Sequence, residues 1–195
     1  ATVNSSKNNA GGIAGTIIDG SIKNCLFDGS VNTTAGNGYA GGIAGYLGNT
    51  KTTSPQISNC VNYGRITAKY AGGITSYAKY AKTIENCYNM GEISGKSRTG
   101  GIVGQNMNGV SVENCYSAGT LSGTGIGGIA GWNGVSITNC FWEGAENIQS
   151  GGNGKATDCE QITDKSALAA KLGDAFADDE KNTNNGYPLL KWQNS

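Results

Sequence analysis

Histidine is absent from this chain of 195 residues, and only two prolines, Pro55 and Pro188, interrupt it. Without an imidazole the chain lacks the side chain that most often serves as a general base near neutral pH. Charge is sparse, and fourteen basic against fourteen acidic residues leave a formal net charge of zero. A protein that neutralises many phosphates needs a basic excess, so nucleic acid is not an expected partner. No apolar run approaches the roughly 20 residues of a spanning helix, so this segment is not expected to insert in a membrane. No secretory signal is visible, and residues 1–10 read like the interior of a longer protein.

Glycine, with 33 positions, is plentiful. It lacks the every-third-residue spacing of collagen, and the aliphatic residues recur at fixed places, which argues against disorder. A Gly-Gly-Ile block stands at Gly11-Gly12-Ile13, Gly41-Gly42-Ile43, Gly72-Gly73-Ile74, Gly100-Gly101-Ile102 and Gly127-Gly128-Ile129. Each is followed by an apolar-x-Asn-Cys block ending at Cys25, Cys60, Cys87, Cys115 or Cys140. Repeats of this length cannot bury a core alone and point to a stacked solenoid.

Alignment on cysteine reveals apolar columns. Three residues before it stand Ile22, Ile57, Ile84, Val112 and Ile137; immediately after it stand Leu26, Val61, Tyr88, Tyr116 and Phe141. Six residues after it stand Val31, Ile66, Ile93 and Leu121, with Glu146 breaking the column. Each repeat thus offers about three short strand-like segments separated by Gly or Asn, enough for one turn of a β-helix. The expectation is an all-β protein: a parallel β-helix or β-solenoid of about five coils over residues 1–149, its coils roughly 4.8 Å apart. From residue 150 the pattern dissolves, through Gly151-Gly152-Asn153-Gly154, into a C-terminal cap. A short helix is expected near residues 165–172, with Asp164 or Ser166 as N-cap and Gly173 as stop. A final strand near residues 189–192 would help the cap close the solenoid end.

The segments Gly42-Ile43-Ala44-Gly45 and Gly128-Ile129-Ala130-Gly131, each leading into Ile-x-Asn-Cys, resemble the GLUG-motif repeats of bacterial cell-surface proteins. The terminal run from Asn185 to Trp192 is similar to the closing segment that often follows such repeats, while Ile74-Thr75-Ser76 departs by lacking the final glycine. The resemblance implies an extracellular setting, secreted or on a bacterial surface, inside a larger adhesin-like protein or protease, and the other domains of that protein as partners. It carries no catalytic motif.

The residues leave several chemistries to weigh. The cysteine column reads as small buried filler, with disulfides between coils as the alternative, and offers a metal poor convergence. Asn24, Asn59, Asn86, Asn114 and Asn139 read as corner residues. Glu85 and Glu113 share one position in consecutive coils, and Arg65 and Glu92 should pair at the surface. The run Asp178-Asp179-Glu180 matches no calcium loop and reads as solvated. No metal or cofactor site is assigned, and no catalytic residue.

If Ile points inward, alternation turns Thr16, Tyr46, Tyr77, Gln105 and Trp132 outward in one row. The aromatic members Tyr46, Tyr77 and Trp132, widened by Tyr80, form the candidate binding site, a platform for sugar rings or for a host surface protein. Tyr70 and Lys79 could widen it further. The expected function is therefore a non-catalytic, adhesive or structural module that possesses a glycan- or protein-binding face. The alternatives are a β-helical polysaccharide lyase or hydrolase, and a plain spacer of a larger surface protein; a flat ice-binding face is disfavoured by the irregular coil lengths.

Overall fold

The computed structural model describes residues 1–133, 136–144, 149–151, 155–157 and 159–194. Its repeats wind into a parallel β-solenoid in which each strand pairs with its counterparts in the neighbouring coils. The first sheet stacks Thr2–Ser5, Ser30–Thr33, Arg65–Ala68, Ile93–Gly95 and Leu121–Gly123. The second, of ten strands, holds the segments on both sides of each Gly-Gly-Ile corner, such as Tyr39–Gly41 with Ala44–Leu47 and Tyr70–Gly72 with Thr75–Lys79. The third runs through Gln56–Ser58, Thr83–Glu85 and Ser111–Glu113, the fourth through Val61–Asn62, Tyr88–Asn89 and Tyr116–Ser117. Among the described residues no helix is long and apolar enough to cross a membrane.

The three segments expected per coil resolve into five, because two of them bend. One bend is the Gly-Gly-Ile corner, where coils stack too closely for any side chain. A Cβ on Gly73 would fall 2.0 Å from the carbonyl oxygen of Gly101 in the next coil. The ladder still continues through the corner, with Ile74 N donating to Ile102 O at 2.9 Å. The other bend is the asparagine column: Asn24, Asn59, Asn86, Asn114 and Asn139 all adopt φ between 50° and 53°. Asparagine tolerates this left-handed conformation better than most residues, which accounts for its recurrence there.

Ile43, Ile74, Ile102 and Ile129 fill the interior with Ile57, Ile84, Val112 and Ile137 and with Val31, Ile66 and Ile93. Burial of each such side chain contributes roughly 1.5–3 kcal/mol. Glu146, expected to break the last of these columns, lies outside the described residues, as do residues 152–154. The thiols of Cys60, Cys87, Cys115 and Cys140 are buried and form no disulfide, each donating to the carbonyl two residues before it at 3.1–3.3 Å. Burial pushes the Cys87 and Cys140 thiols well above their ordinary pKa.

The column after cysteine does not join this interior. Val61, Tyr88, Tyr116 and Phe141 face outward into a second apolar cluster, while Phe27, Asn62, Asn89 and Ser117 turn inward. The inward amides form a ladder: Asn62 Nδ2 donates to Asn89 Oδ1 at 2.7 Å, and Asn89 Nδ2 to Ser117 Oγ at 3.3 Å. Each asparagine also bonds the glycine two residues on, so these buried polar groups are satisfied.

Parallel pairing extends beyond residue 149, with Lys155–Thr157 and Glu160–Gln161 adding to the third and fourth sheets. The tail then contains a helix, Leu168–Leu172, shorter than expected; its N-cap is Ala167, with no side-chain bond, and Gly173 ends it. Asp164 instead ties the preceding turn, accepting from Ser166 N and Oγ. Phe176–Ala177 pairs antiparallel with Leu189–Leu190, and a 3-10 turn, Lys191–Asn194, replaces the end of the expected strand. The tail lies along the flank of the solenoid, packing Leu168, Leu172, Phe176, Tyr187 and Leu190 on the tyrosine column of the fourth sheet. That column is apolar and outward-facing, so it needs a cover as much as the solenoid end does.

Candidate functional site

The second sheet carries the aromatic row. In Thr75–Lys79 the residues after the corner alternate, Ala78 buried and Tyr77 and Lys79 half-exposed; in Ala44–Leu47, Tyr46 is half-exposed between buried neighbours. Register puts Thr16, Tyr46, Tyr77, Gln105 and Trp132 in one column. Tyr46 and Tyr77 stack with centroids 4.7 Å apart and planes 20° from parallel.

A second column runs beside the first, before the corner. Tyr39 pairs with Tyr70, their rings stacked at 4.9 Å, and the Tyr39 ring meets Tyr77 edge-on at 5.3 Å and Tyr46 at 6.2 Å. Tyr39 thus joins two stacked pairs into one cluster, meeting Tyr46 and Tyr77 edge to face, the arrangement aromatic quadrupoles favour, while Tyr70 caps it from the next coil. In the next coil Thr99 pairs with Ala71, which places Arg98 at the tyrosine position of this column. Its guanidinium lies 5.8 Å from the Tyr70 ring and 5.6 Å from the Trp132 ring. Arg98 Nη1 donates to Gln105 Oε1, Gln105 Nε2 to Met107 Sδ at 2.9 Å, and the Tyr77 hydroxyl to the same sulfur at 3.1 Å.

These contacts tune the hydroxyls. Burial, then the neighbouring tyrosines Tyr46 and Tyr39, push the Tyr77 phenol up to about 12, against the lowering pull of Arg98. Burial likewise raises Tyr39 and Tyr46. The phenols remain neutral donors well above physiological pH. Because the rings stack on one another, the faces between Tyr39 and Tyr70 and between Tyr46 and Tyr77 are closed. The cluster offers ring edges, hydroxyls and a guanidinium in place of the flat row of sugar-sized faces expected from alternation.

Of the expected site residues, the structure brings Tyr46 and Tyr77 into contact and links Trp132 to them through Arg98 and Gln105. Tyr80 stands apart. It has φ 58°, its ring lies under the Lys79 ammonium at 4.8 Å, and it lines a shallow depression of about 520 Å³ with Lys51, Thr53, Ser54, Ala81 and Asn108. Tyr39 and Arg98 were not among the expected residues. The Tyr-Ala-Gly-Gly-Ile run, present at both Tyr39 and Tyr70, was the signal for the second column.

The acidic positions take structural places. Glu85 and Glu113 are register partners on the third sheet, and Arg65 pairs with Glu92 at 2.5 Å on the surface. Asp179 accepts from Thr183 N, Thr183 Oγ, Asn184 N and Gly186 N, which makes it the hub of a tail turn. Burial pushes its carboxyl up, but those donors outweigh it and hold the pKa below the usual value. Among the described residues no three Cys, Asp or Glu side chains are grouped to hold a metal ion.

The family model of the GLUG motif matches residues 95–122, a stretch that contains Arg98, the fourth Gly-Gly-Ile corner and Cys115. Comparison with curated proteins and with solved structures gives no significant match.

Proposed function

We propose that this chain, a β-solenoid of GLUG-type repeats, is a non-catalytic recognition module whose second sheet binds glycan or a host surface protein. The observation that carries this reading is the aromatic cluster of Tyr39, Tyr46, Tyr70 and Tyr77, continued by Arg98 and Trp132. These rings stand on a rigid ladder, so a partner meets an ordered surface and little side-chain entropy is lost on contact. Tyrosine, tryptophan and arginine are also the residues that dominate binding energy at interfaces. The extracellular, bacterial-surface setting is part of the proposal and rests on the kinship of the repeats. A larger surface protein would supply the remaining domains.

A glycan and host-protein array tests the reading. Wild type should bind a defined ligand, and Tyr77→Ala with Trp132→Ala should lose it while keeping the far-UV circular dichroism of the solenoid. Undiminished binding by the folded double variant would overturn the assignment. A blank array would favour the second reading, a spacer, which the uninterrupted ladders also suit.

A further inference from the structure

We infer that the ligand of this face is an acidic glycan, and that Arg98 receives its carboxylate or sulfate group. The inference rests on the recognition reading above and adds the charge class of the ligand.

The zero net charge conceals a segregation. Between residues 29 and 84 there is no Asp or Glu, while Lys51, Arg65, Lys69, Lys79 and Lys82 fall there, with Lys96 and Arg98 following in the next coil. Five of the fourteen acidic residues, Asp164, Asp174, Asp178, Asp179 and Glu180, lie in the tail, which packs on the fourth sheet, away from the aromatic cluster. Of the acids nearest this stretch in sequence, Asp28 precedes the first-sheet strand Ser30–Thr33, Glu92 is paired with Arg65 on the first-sheet side, and Glu85 sits on the third sheet beside Glu113. The charged groups in contact with the rings of this face are cations, Lys69, Lys79 and Arg98. Lys69 lies 5.2 Å from the Tyr70 ring and Lys79 lies over Tyr80, both at the margin of the cluster.

Arg98 is the organised cation among them. It takes the tyrosine place in its column, and its guanidinium is within cation–π reach of both the Tyr70 and the Trp132 ring. Its backbone has φ 51°, a left-handed conformation costly for a residue with a side chain and found where surrounding structure holds it. Gln105 is buried and takes one N–H. A guanidinium carries five N–H donors in a planar fork that matches a carboxylate or sulfate in two parallel hydrogen bonds. The phenols of Tyr39 and Tyr46 add neutral donors and ring edges near that fork, and Tyr77, whose proton goes to Met107 Sδ, adds a hydroxyl acceptor, which suits the hydroxyls of a sugar. Nucleic acid shares the anionic charge, but single-strand binding depends on bases stacking on open ring faces, and here those between the paired tyrosines are closed.

Calorimetric titration decides the matter, using a tetragalacturonate, a sulfated heparin tetrasaccharide, neutral cellotetraose and a ten-base oligothymidylate. One or both acidic tetrasaccharides should bind, more weakly as salt rises, and Arg98→Gln should weaken binding about tenfold or more. Arg98→Lys should recover only part, since it restores charge without the fork. Should either Arg98 variant fail to fold, Lys69→Gln and Lys79→Gln test the same field from the margin, and each should cost about two- to fivefold. Equal or tighter binding of cellotetraose, or affinity unchanged in folded Arg98→Gln, overturns the charge assignment and leaves the recognition reading standing. Binding of the oligonucleotide alone replaces the glycan with nucleic acid. No binding of any probe, with a blank array, removes both readings.

Discussion

Tyr88 and Tyr116 lie ring on ring, 4.7 Å apart and 7° from parallel, beneath the folded-back tail. The Tyr116 hydroxyl donates to Pro188 O at 2.6 Å and accepts from Asn184 Nδ2 at 3.0 Å. Tyr88 donates to Gln193 Oε1 at 2.9 Å, and Tyr63 to Asn184 Oδ1 at 3.1 Å. Three consecutive coils are thus tied to one tail by phenolic hydrogen bonds.

Tyr116→Phe keeps the stack and removes one buried hydroxyl. Loss of its two hydrogen bonds should cost about 1–3 kcal/mol. Urea denaturation would read this as a lower midpoint at unchanged slope, and trypsin should cut faster in the tail near Lys181. An unchanged midpoint would mean that the tail is held by apolar packing alone.

Tyr77 makes stability fall at alkaline pH. Its phenol loses a proton near pH 10 when unfolded but only near 12 when folded, so the folded state holds the proton more tightly. The stabilisation is complete below pH 10 and is lost as pH rises through 12. Thermal unfolding followed from pH 9 to 12 should show a steeper decline in wild type than in Tyr77→Phe. Identical slopes would contradict the burial of this hydroxyl.

The columns were legible because a solenoid repeats its environment: Ile74 and Ile102 meet the same neighbours, so the same residue returns. The asparagine corners were legible for the same reason. The direction of the residue after cysteine was not. Ile57 and Val61 are four apart and by strict alternation would share a face, yet Ile57 points inward and Val61 outward. The left-handed Asn59 between them resets the alternation, and a two-residue strand is too short to show a period of its own. That reset created the outward tyrosine column, and with it the docking place of the tail, which the tail's own pattern does not encode. Arg98 was hidden differently: in Lys96-Ser97-Arg98 it reads as one of several loop cations, and only register shows that it continues a tyrosine column.

Position along the stack should grade the cost of identical substitutions. Ile74 is fully buried between coils, whereas its equivalent Ile13, in the first coil, is 47% exposed. Ile74→Ala should cost about 2–5 kcal/mol as a cavity opens between coils that cannot collapse. Ile13→Ala should cost well under half of that. Equal losses would imply that Ile13 is covered in solution, by a further coil or a second copy.

Asn86 separates the demand for backbone conformation from the demand for an amide. Its φ is 51°, and its N–H donates to Glu113 O at 3.1 Å whatever the side chain. Asn86→Gly should therefore stay within a few tenths of a kcal/mol of wild type, because glycine enters the left-handed region without strain. Asn86→Ala removes the same side chain but leaves a Cβ, and should cost about 1–2 kcal/mol. Chemical denaturation of the pair checks this. If glycine proves as costly as alanine, the amide along the corner column matters more than the turn, as in the Asn139 Nδ2 bond to Asn114 Oδ1 at 2.8 Å.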